Sequence, residues 1–415
     1  MVLFEKFTLA NGMRVIVHED HYTPMAVLNI LYDVGARDEQ EDKTGFAHLF
    51  EHLMFGGSKN APNFDEPLQR AGGESNAFTS NDITNYYDIL PSYNIETAFW
   101  LESDRMSALN INSASLEVQR KVVSEEFKEH YLNQPYGDVW HKLSSLAFKV
   151  HPYKWPTIGL DLSHIEQAKL QDVSNFFQNY YNPANAILVL GGNITVPQAK
   201  ELTEKWFGKI PAGKKAEKNF PKEPAQKEKR KLEVQAEVPL NAFFKTWHMG
   251  TRDSRNFYVM DIVSDILSEG SSSRLYQSLV KTKKLFSDID ASVTGSFDEG
   301  LFMVEGRLLD NVTMEQAEAA IQEELEAIKS TPVQAYELQK VKNKVESTHT
   351  FAEVNLLSRV THLAYFELLG DANRINSEIN NFLSVTEEEI MQESKKILTE
   401  DNSSVIYYYS KNKQS

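Results

Sequence analysis

AVLNILYDVGARDE runs from Ala26 to Glu39, and NAFFKTWHMGTRD runs from Asn241 to Asp253. Each is an apolar run rich in β-branched or aromatic residues that closes on Gly-x-Arg-Asp. Each is followed by a helical pattern, GFAHLFEHLMFGG after the first and NFYVMDIVSDILSEG after the second. Gly35 and Gly250 mark equivalent places 215 positions apart in a chain of 415 residues. A period of half the chain, present twice, implies duplication into two halves; a solenoid needs more copies.

Outward from these runs the same two textures recur. Short strand-like segments lie at Arg14 to His18, Asn185 to Leu190 and Gly300 to Leu308. Long amphipathic patterns predict helices over Ile95 to Leu109, Leu116 to Tyr131, Thr313 to Lys329 and Ala335 to Thr348. Strands cluster instead of alternating strictly with helices, so the expected class is α+β: two tandem homologous halves, each a largely antiparallel β-sheet packed with α-helices. The halves are placed at 1–212 and 233–415, with a charged linker at 213–232. Within it, KKAEKNFPKEPAQKEKRK (214–231) carries seven Lys, one Arg and three Glu, and such a stretch buries too little apolar surface to order itself.

That basic run hides in an acidic chain. With 43 Lys+Arg against 59 Asp+Glu the formal charge is −16. Such a surface repels phosphate backbones, which argues against a nucleic-acid partner. No stretch approaches the ~18 apolar residues of a membrane span. The N-terminus, MVLFEKFTLANGMRVIV, lacks the basic-then-apolar pattern of a secretory signal, so a cytoplasmic address is expected. There is no cysteine. Disulfides, thiolate metal sites and cysteine nucleophiles are therefore excluded, and any metal must be held by His, Asp or Glu.

The segment GFAHLFEHLMFGG supplies such residues. At helical spacing His48, Glu51 and His52 project within an arc of about 100°, and the apolar neighbours Phe46, Leu49, Phe50, Leu53, Met54 and Phe55 argue against a fully exposed helix. Two imidazoles four residues apart can hold one ion, and the carboxylate beside them can reach a water on it; His-x-x-Glu-His is the inverted zincin order. A third ligand is expected from LEVQRKVVSEEFKEHYL. On a helix Glu126 falls in the middle of an arc formed by Leu116, Val118, Val122, Val123 and Phe127, where a carboxylate needs a partner. Gln119 and His130 share that arc, as supports of the site or alternative ligands. A fourth protein ligand would make the site structural, and His130 is the residue that would supply it.

Taken together, GFAHLFEHLMFGGS, VVSEEFKEHYLNQPYG, HPYKWPTIG (His151 to Gly159) and NYYNPANAILVLGGN closely resemble the pitrilysin and mitochondrial-processing-peptidase family of zinc peptidases. The resemblance covers nearly the whole chain. It implies that His48, His52 and Glu126 bind one Zn²⁺ per chain, that Glu51 is the general base, and that the reaction is hydrolysis of internal peptide bonds in peptides or unfolded small proteins. It also implies that GGESNAFTSND (Gly72 to Asp82) is an edge strand onto which substrate adds, with Ser75, Asn76, Ala77 and Phe78 as contacts.

Two departures follow from the same comparison. The family usually carries a second Glu where this chain has Gln119. In GSSSRLYQSLVKTKKLFSDIDAS, which resembles the family's Ser-Arg-Leu helix, the Arg and Tyr that help bind substrate are replaced by Val280 and Ser287. The metal-motif equivalents of the second half are Val263, Ile266 and Leu267, which bind nothing. In two-subunit members a partner chain supplies the Arg/Tyr pair, so the resemblance implies a heterodimer with a homologous, metal-free subunit. A stand-alone homodimer is the alternative, and a non-catalytic scaffold subunit is a third possibility that the intact metal motif disfavours.

Overall fold

The structure, a computed structural model, describes residues 1–411 and contains two sheets. The first is built from β1 (Glu5–Thr8), β2 (Arg14–Glu19), β3 (Met25–Tyr32), β4 (Glu74–Thr79), β5 (Thr84–Pro91) and β6 (Ala186–Gly192), in the order β1-β2-β6-β3-β5-β4. The second is built from β7 (Arg230–Ala236), β8 (Ala242–His248), β9 (Phe286–Val293), β10 (Leu301–Leu308) and β11 (Ser403–Ser410), in the order β7-β11-β8-β10-β9. Only β2 with β6 and β7 with β11 run parallel; every other pair is antiparallel. Set β1 aside, and β2 to β6 match β7 to β11 one for one in chain order, neighbours and direction. The duplication read from Gly35 and Gly250 is thus a duplication of sheet topology.

Burial follows position in the sheet. β3 lies between β5 and β6, and seven of its eight residues are buried, which is why it reads as one apolar run without alternation. Its one polar residue, Asn29, is satisfied by reciprocal amide hydrogen bonds with Asn85 of β5, at 2.9 and 2.8 Å. Among the described residues β4 pairs only with β5, leaving its other edge without a strand, and its residues alternate between exposed and half-buried.

Four helices follow the first strands: α1 (Phe46–Phe55), α2 (Asp65–Arg70), α3 (Ile95–Ala108) and α4 (Ser113–Phe127). α3 packs on β3 and β5. The wholly buried guanidinium of Arg105 on α3 pairs with Glu102 and lies 4.4 and 4.5 Å from the ring centres of Phe64 and Tyr86. Helix Leu356–Leu368, from far along the chain, packs on β2, β3 and β6. It lies so close that a Cβ on Gly191 would meet the Val360 side chain at 2.3 Å.

The chain passes from one compact unit to the other at Phe220 and Pro221, inside 213–232, and two further segments are exchanged between the units. One compact unit comprises Met1–His130, Trp155–Phe220 and Thr350–Ser377; the other comprises Tyr131–Lys154, Pro221–His349 and the residues from Glu378 on. Each unit thus takes one segment from the other half of the sequence, because a sheet face is covered by whichever helix presents a matching apolar side, and chain order does not enter. The basic run differs from the expectation. It has no regular structure before β7, yet several of its residues are anchored. In the first unit the Lys218 ammonium lies 2.6 Å from the Asp38 carboxylate and 2.7 Å from the Asp33 carbonyl. In the second, Glu223 accepts the backbone N–H groups of Lys149, Val150 and His151, and Gln226 donates to the Ser403 carbonyl. A few long polar side chains that find unsatisfied partners order a segment that has almost no apolar surface to bury.

Among the described residues no helix is long and apolar enough to cross a membrane.

Candidate metal centre

α1 begins at a constrained point. Gly45, its N-cap, has φ +87°, and a Cβ there would stand 2.6 Å from the Ile158 carbonyl oxygen, so only glycine fits without strain. Phe46, Ala47, Leu49, Phe50, Leu53 and Met54 are buried, with Phe50 stacked on Phe176 and Tyr181 at 5.0 and 5.1 Å. That seating leaves His48, Glu51 and His52 half-buried on the opposite side, next to α4 and β4.

The two histidine Nε2 atoms are 3.3 Å apart, and the Glu126 Oε2 atom of α4 lies 3.2 Å from His52 and 3.6 Å from His48. Burial, reinforced by the neighbouring His52, pushes the His48 imidazole down to about 4, so it is neutral at physiological pH. One shared proton can satisfy a single edge of this triangle, but three lone-pair-bearing atoms converge. A point equidistant from them lies about 2 Å from each, the length of a zinc–imidazole or zinc–carboxylate bond. Two imidazoles and one carboxylate are also a donor set that zinc accepts in sites with an open fourth position. The residues fit the ion that the sequence implies. Among the described residues, no other group of three or more His, Asp or Glu converges in this way.

Glu51 does not join the triangle. Its Oε2 atom accepts a hydrogen bond from the Thr79 hydroxyl at 2.5 Å, which ties it to the last residue of β4. Ser75, Asn76, Ala77 and Phe78 occupy the middle of that strand, where Phe78 is exposed and the Asn76 side chain accepts the Ala77 N–H.

Three expectations need correcting. The arc that placed Glu126 among buried residues counts Val118 and Val122, yet these are 56% and 41% exposed. α4 is seated instead by Leu116, Val123, Ser124 and Phe127, and Glu126 lies at the border of that face. His130 stands exposed on the π-helical turn Lys128–Leu132 and takes no part in the convergent group. Gln119 is half-buried and donates to neither histidine; the buried Nδ1 of His48 has no hydrogen-bond partner among the described residues. Two residues that spacing could not reveal are Thr79 and Glu39. The Glu39 carboxylate is buried and accepts the Gly45 and Ala47 N–H groups at the start of α1.

In the second unit Val263, Ile266 and Leu267 are wholly buried in the core. Val280 packs half-buried against that core, and the Ser287 hydroxyl donates to the Asp288 carboxylate and the Arg307 carbonyl.

The family described as "Insulinase (Peptidase family M16)" matches residues 14–160, and "Peptidase M16 inactive domain" matches residues 167–345. The zinc protease PqqE of Helicobacter pylori is 32% identical over 346 residues, covering 81% of this chain and 77% of that one. The uncharacterized zinc protease YmxG of Bacillus subtilis is 25% identical over 403 residues, covering 96% of this chain and 97% of its own. The crystal structure of a protease from Helicobacter pylori superposes with a TM-score of 0.92 at 28% identity, over 99% of this chain and 100% of that one.

Proposed function

We propose, from the premise that this chain belongs to the M16 family of peptidases, that it is a zinc-dependent endopeptidase whose site is His48, His52, Glu126 and Glu51. The observation that carries this reading is the convergence of exactly three ligand atoms from α1 and α4, with a carboxylate that is not a ligand beside them. Three protein ligands leave a coordination position open, which marks a catalytic rather than a structural arrangement.

Zinc, when bound, supplies a Lewis acid for the scissile carbonyl and lowers the pKa of water at its open position. Glu51 takes the proton of the attacking water and returns it to the leaving amine. The free edge of β4 binds an extended peptide by main-chain hydrogen bonds, and Ser75, Asn76, Ala77 and Phe78 contact its side chains. Hydrolysis balances: the C–N bond breaks, water supplies hydroxyl to the acyl carbon, and its proton goes through Glu51 to nitrogen.

Metal analysis tests the reading first. About one zinc per chain is expected, together with cleavage at internal bonds of a quenched peptide library; chelation abolishes cleavage and zinc restores it. A metal-free preparation that cleaves as fast as a zinc-loaded one sinks the proposal. Thr79 gives a finer test, since its hydroxyl fixes the Glu51 carboxylate. Thr79→Val is expected to lower kcat about tenfold, the worth of one hydrogen bond to a charged group, while KM holds and Thr79→Ser restores most of the rate. A fall in Thr79→Ser equal to that in Thr79→Val would show that the methyl packing matters and the hydroxyl does not.

A further inference from the structure

His18, the fifth residue of β2, is buried, and both nitrogens of its ring are committed. Nδ1 lies 2.7 Å from the Leu3 carbonyl oxygen, which can only accept, so Nδ1 carries the proton. Nε2 lies 3.0 Å from Nε of Arg359, which can only donate, so Nε2 keeps a lone pair. Together the two contacts admit one form of the ring, neutral with its proton on Nδ1. Arg359 sits on helix Leu356–Leu368, and the rest of its guanidinium reaches back along the chain. One terminal nitrogen donates to the Glu353 and Val354 carbonyls at 2.6 and 3.1 Å, and the other pairs with Asp20. Those carbonyls end helix Ala335–Val354, whose buried residues, Leu338 and Val341, both lie in its first two turns, while Phe351 and Val354 are exposed. Little apolar burial holds this end of the helix; a cation on its last carbonyls does.

A proton on Nε2 sets an N–H against the Nε–H of Arg359, and the two groups must part. We propose that His18 and Arg359 form an acid-released latch on the end of helix Ala335–Val354: neutral His18 holds the guanidinium on the Glu353 and Val354 carbonyls, and a proton taken up from solvent at Nε2 lets residues Phe351 to Asn355 open. All the latch residues, Leu3, His18, Asp20, Glu353, Val354 and Arg359, belong to the first compact unit. Burial, with the guanidinium beside it, holds the imidazole below its usual value. Because the lowered value belongs to the folded state, the latch is fully closed above about pH 6.5, the ordinary histidine value, and weakens as the pH falls from there through the folded one. Two charges bear on the ring, Arg359 and Asp20. Around them Lys6 of β1 pairs with Glu367, Arg14 of β2 donates to the Glu367 carbonyl, and Lys200 of helix Val196–Phe207 lies 3.9 Å from Glu5. His362 stands exposed one turn beyond Arg359, and β6 sets Gly191 beside His18.

Hydrogen exchange on the full chain, read by mass spectrometry at about pH 7.5 and about pH 5 and corrected for intrinsic rates, tests the latch because it reports local opening. The amides of residues 350–356 are expected to exchange about tenfold faster at the lower pH, the size that linkage gives one imidazole freed to titrate normally. His18→Gln, which keeps an acceptor for Arg359 but takes up no proton, is expected to hold their exchange constant within about twofold. Arg359→Lys keeps the charge but cannot span the ring and both carbonyls, so those amides are expected to exchange fast at both pH values. His18→Gln retains the metal residues, so any loss of metal in acid quickens it and wild type alike. Equal exchange in wild type at the two pH values overturns the inference, as does a pH response that survives in His18→Gln. Should His18→Gln not fold, a full pH response in Arg359→Lys overturns it on its own.

Discussion

Glu51→Gln is expected to bind zinc as wild type does and to lose turnover by roughly 10²–10⁴-fold, the contribution typical of a positioned general base. The separation is expected because Glu51 lies outside the triangle of ligand atoms; its carboxylate faces Thr79. An amide of the same shape still accepts the Thr79 hydroxyl through its carbonyl oxygen, so α1 and β4 keep their connection and the fold is not at stake. What the amide cannot do is accept a proton at pH 7. Loss should therefore fall on kcat with KM nearly unchanged, the signature of an interaction made only in the transition state. The measurement is paired: zinc content by elemental analysis and single-turnover cleavage on the same preparation. A metal-replete Glu51→Gln protein that retains its rate would remove Glu51 from the mechanism and leave the water to be activated by some other group.

How far the sequence could lead is seen best by comparing neighbours in the site. His48, Glu51 and His52 lie on one turn and a fraction of α1, so helical periodicity alone brings them to one face. Glu126 comes from another helix, and its face was inferred from Val118 and Val122, which are exposed. Periodicity reports which residues are apolar; it does not report which of two apolar arcs is covered, and here the covered arc is the one containing Leu116, Val123 and Phe127. Thr79 and Glu39 were invisible for a further reason. Each acts through one hydrogen-bonding group on a partner whose spacing from it in the chain has no period, 28 residues for Thr79 with Glu51. The fold shows the same division. β3 and β8, recognised as similar runs, are equivalent strands of equivalent sheets, while the packing of helix Leu356–Leu368 on β6 depends on Gly191 making room for Val360, a complementarity without any local pattern.

The isolated chain is expected to cleave peptides on the order of 10²–10³-fold more slowly than the same chain combined with a homologous, metal-free subunit that carries the Arg/Tyr pair, the cost of lacking a preorganised donor to the developing oxyanion. The argument starts from what the second half offers. Where a guanidinium would be needed there is Val280, half-buried against its own core, and where a phenol would be needed there is Ser287, whose short hydroxyl is already bound to Asp288 and Arg307. Val280 has nothing to donate, and Ser287 offers one neutral hydroxyl that would first have to give up its bonds to Asp288 and Arg307. A bound zinc would polarise the carbonyl from one direction, but a tetrahedral oxyanion in a water-excluded site gains most from several fixed donors, which Val280 and Ser287 do not add. The chain's acidic balance also favours a partner face of opposite sign, which would make association depend on ionic strength. Co-expression with the homologous subunit, followed by size-exclusion chromatography and cleavage assays at matched zinc content, decides the matter. A heterodimer with restored rate is the expected result, and Arg→Ala in the partner should return the rate to that of the isolated chain. Activity that instead rises with the square of the concentration of this chain alone would identify a homodimer, and full activity in a monomer at high dilution would refute the need for any partner.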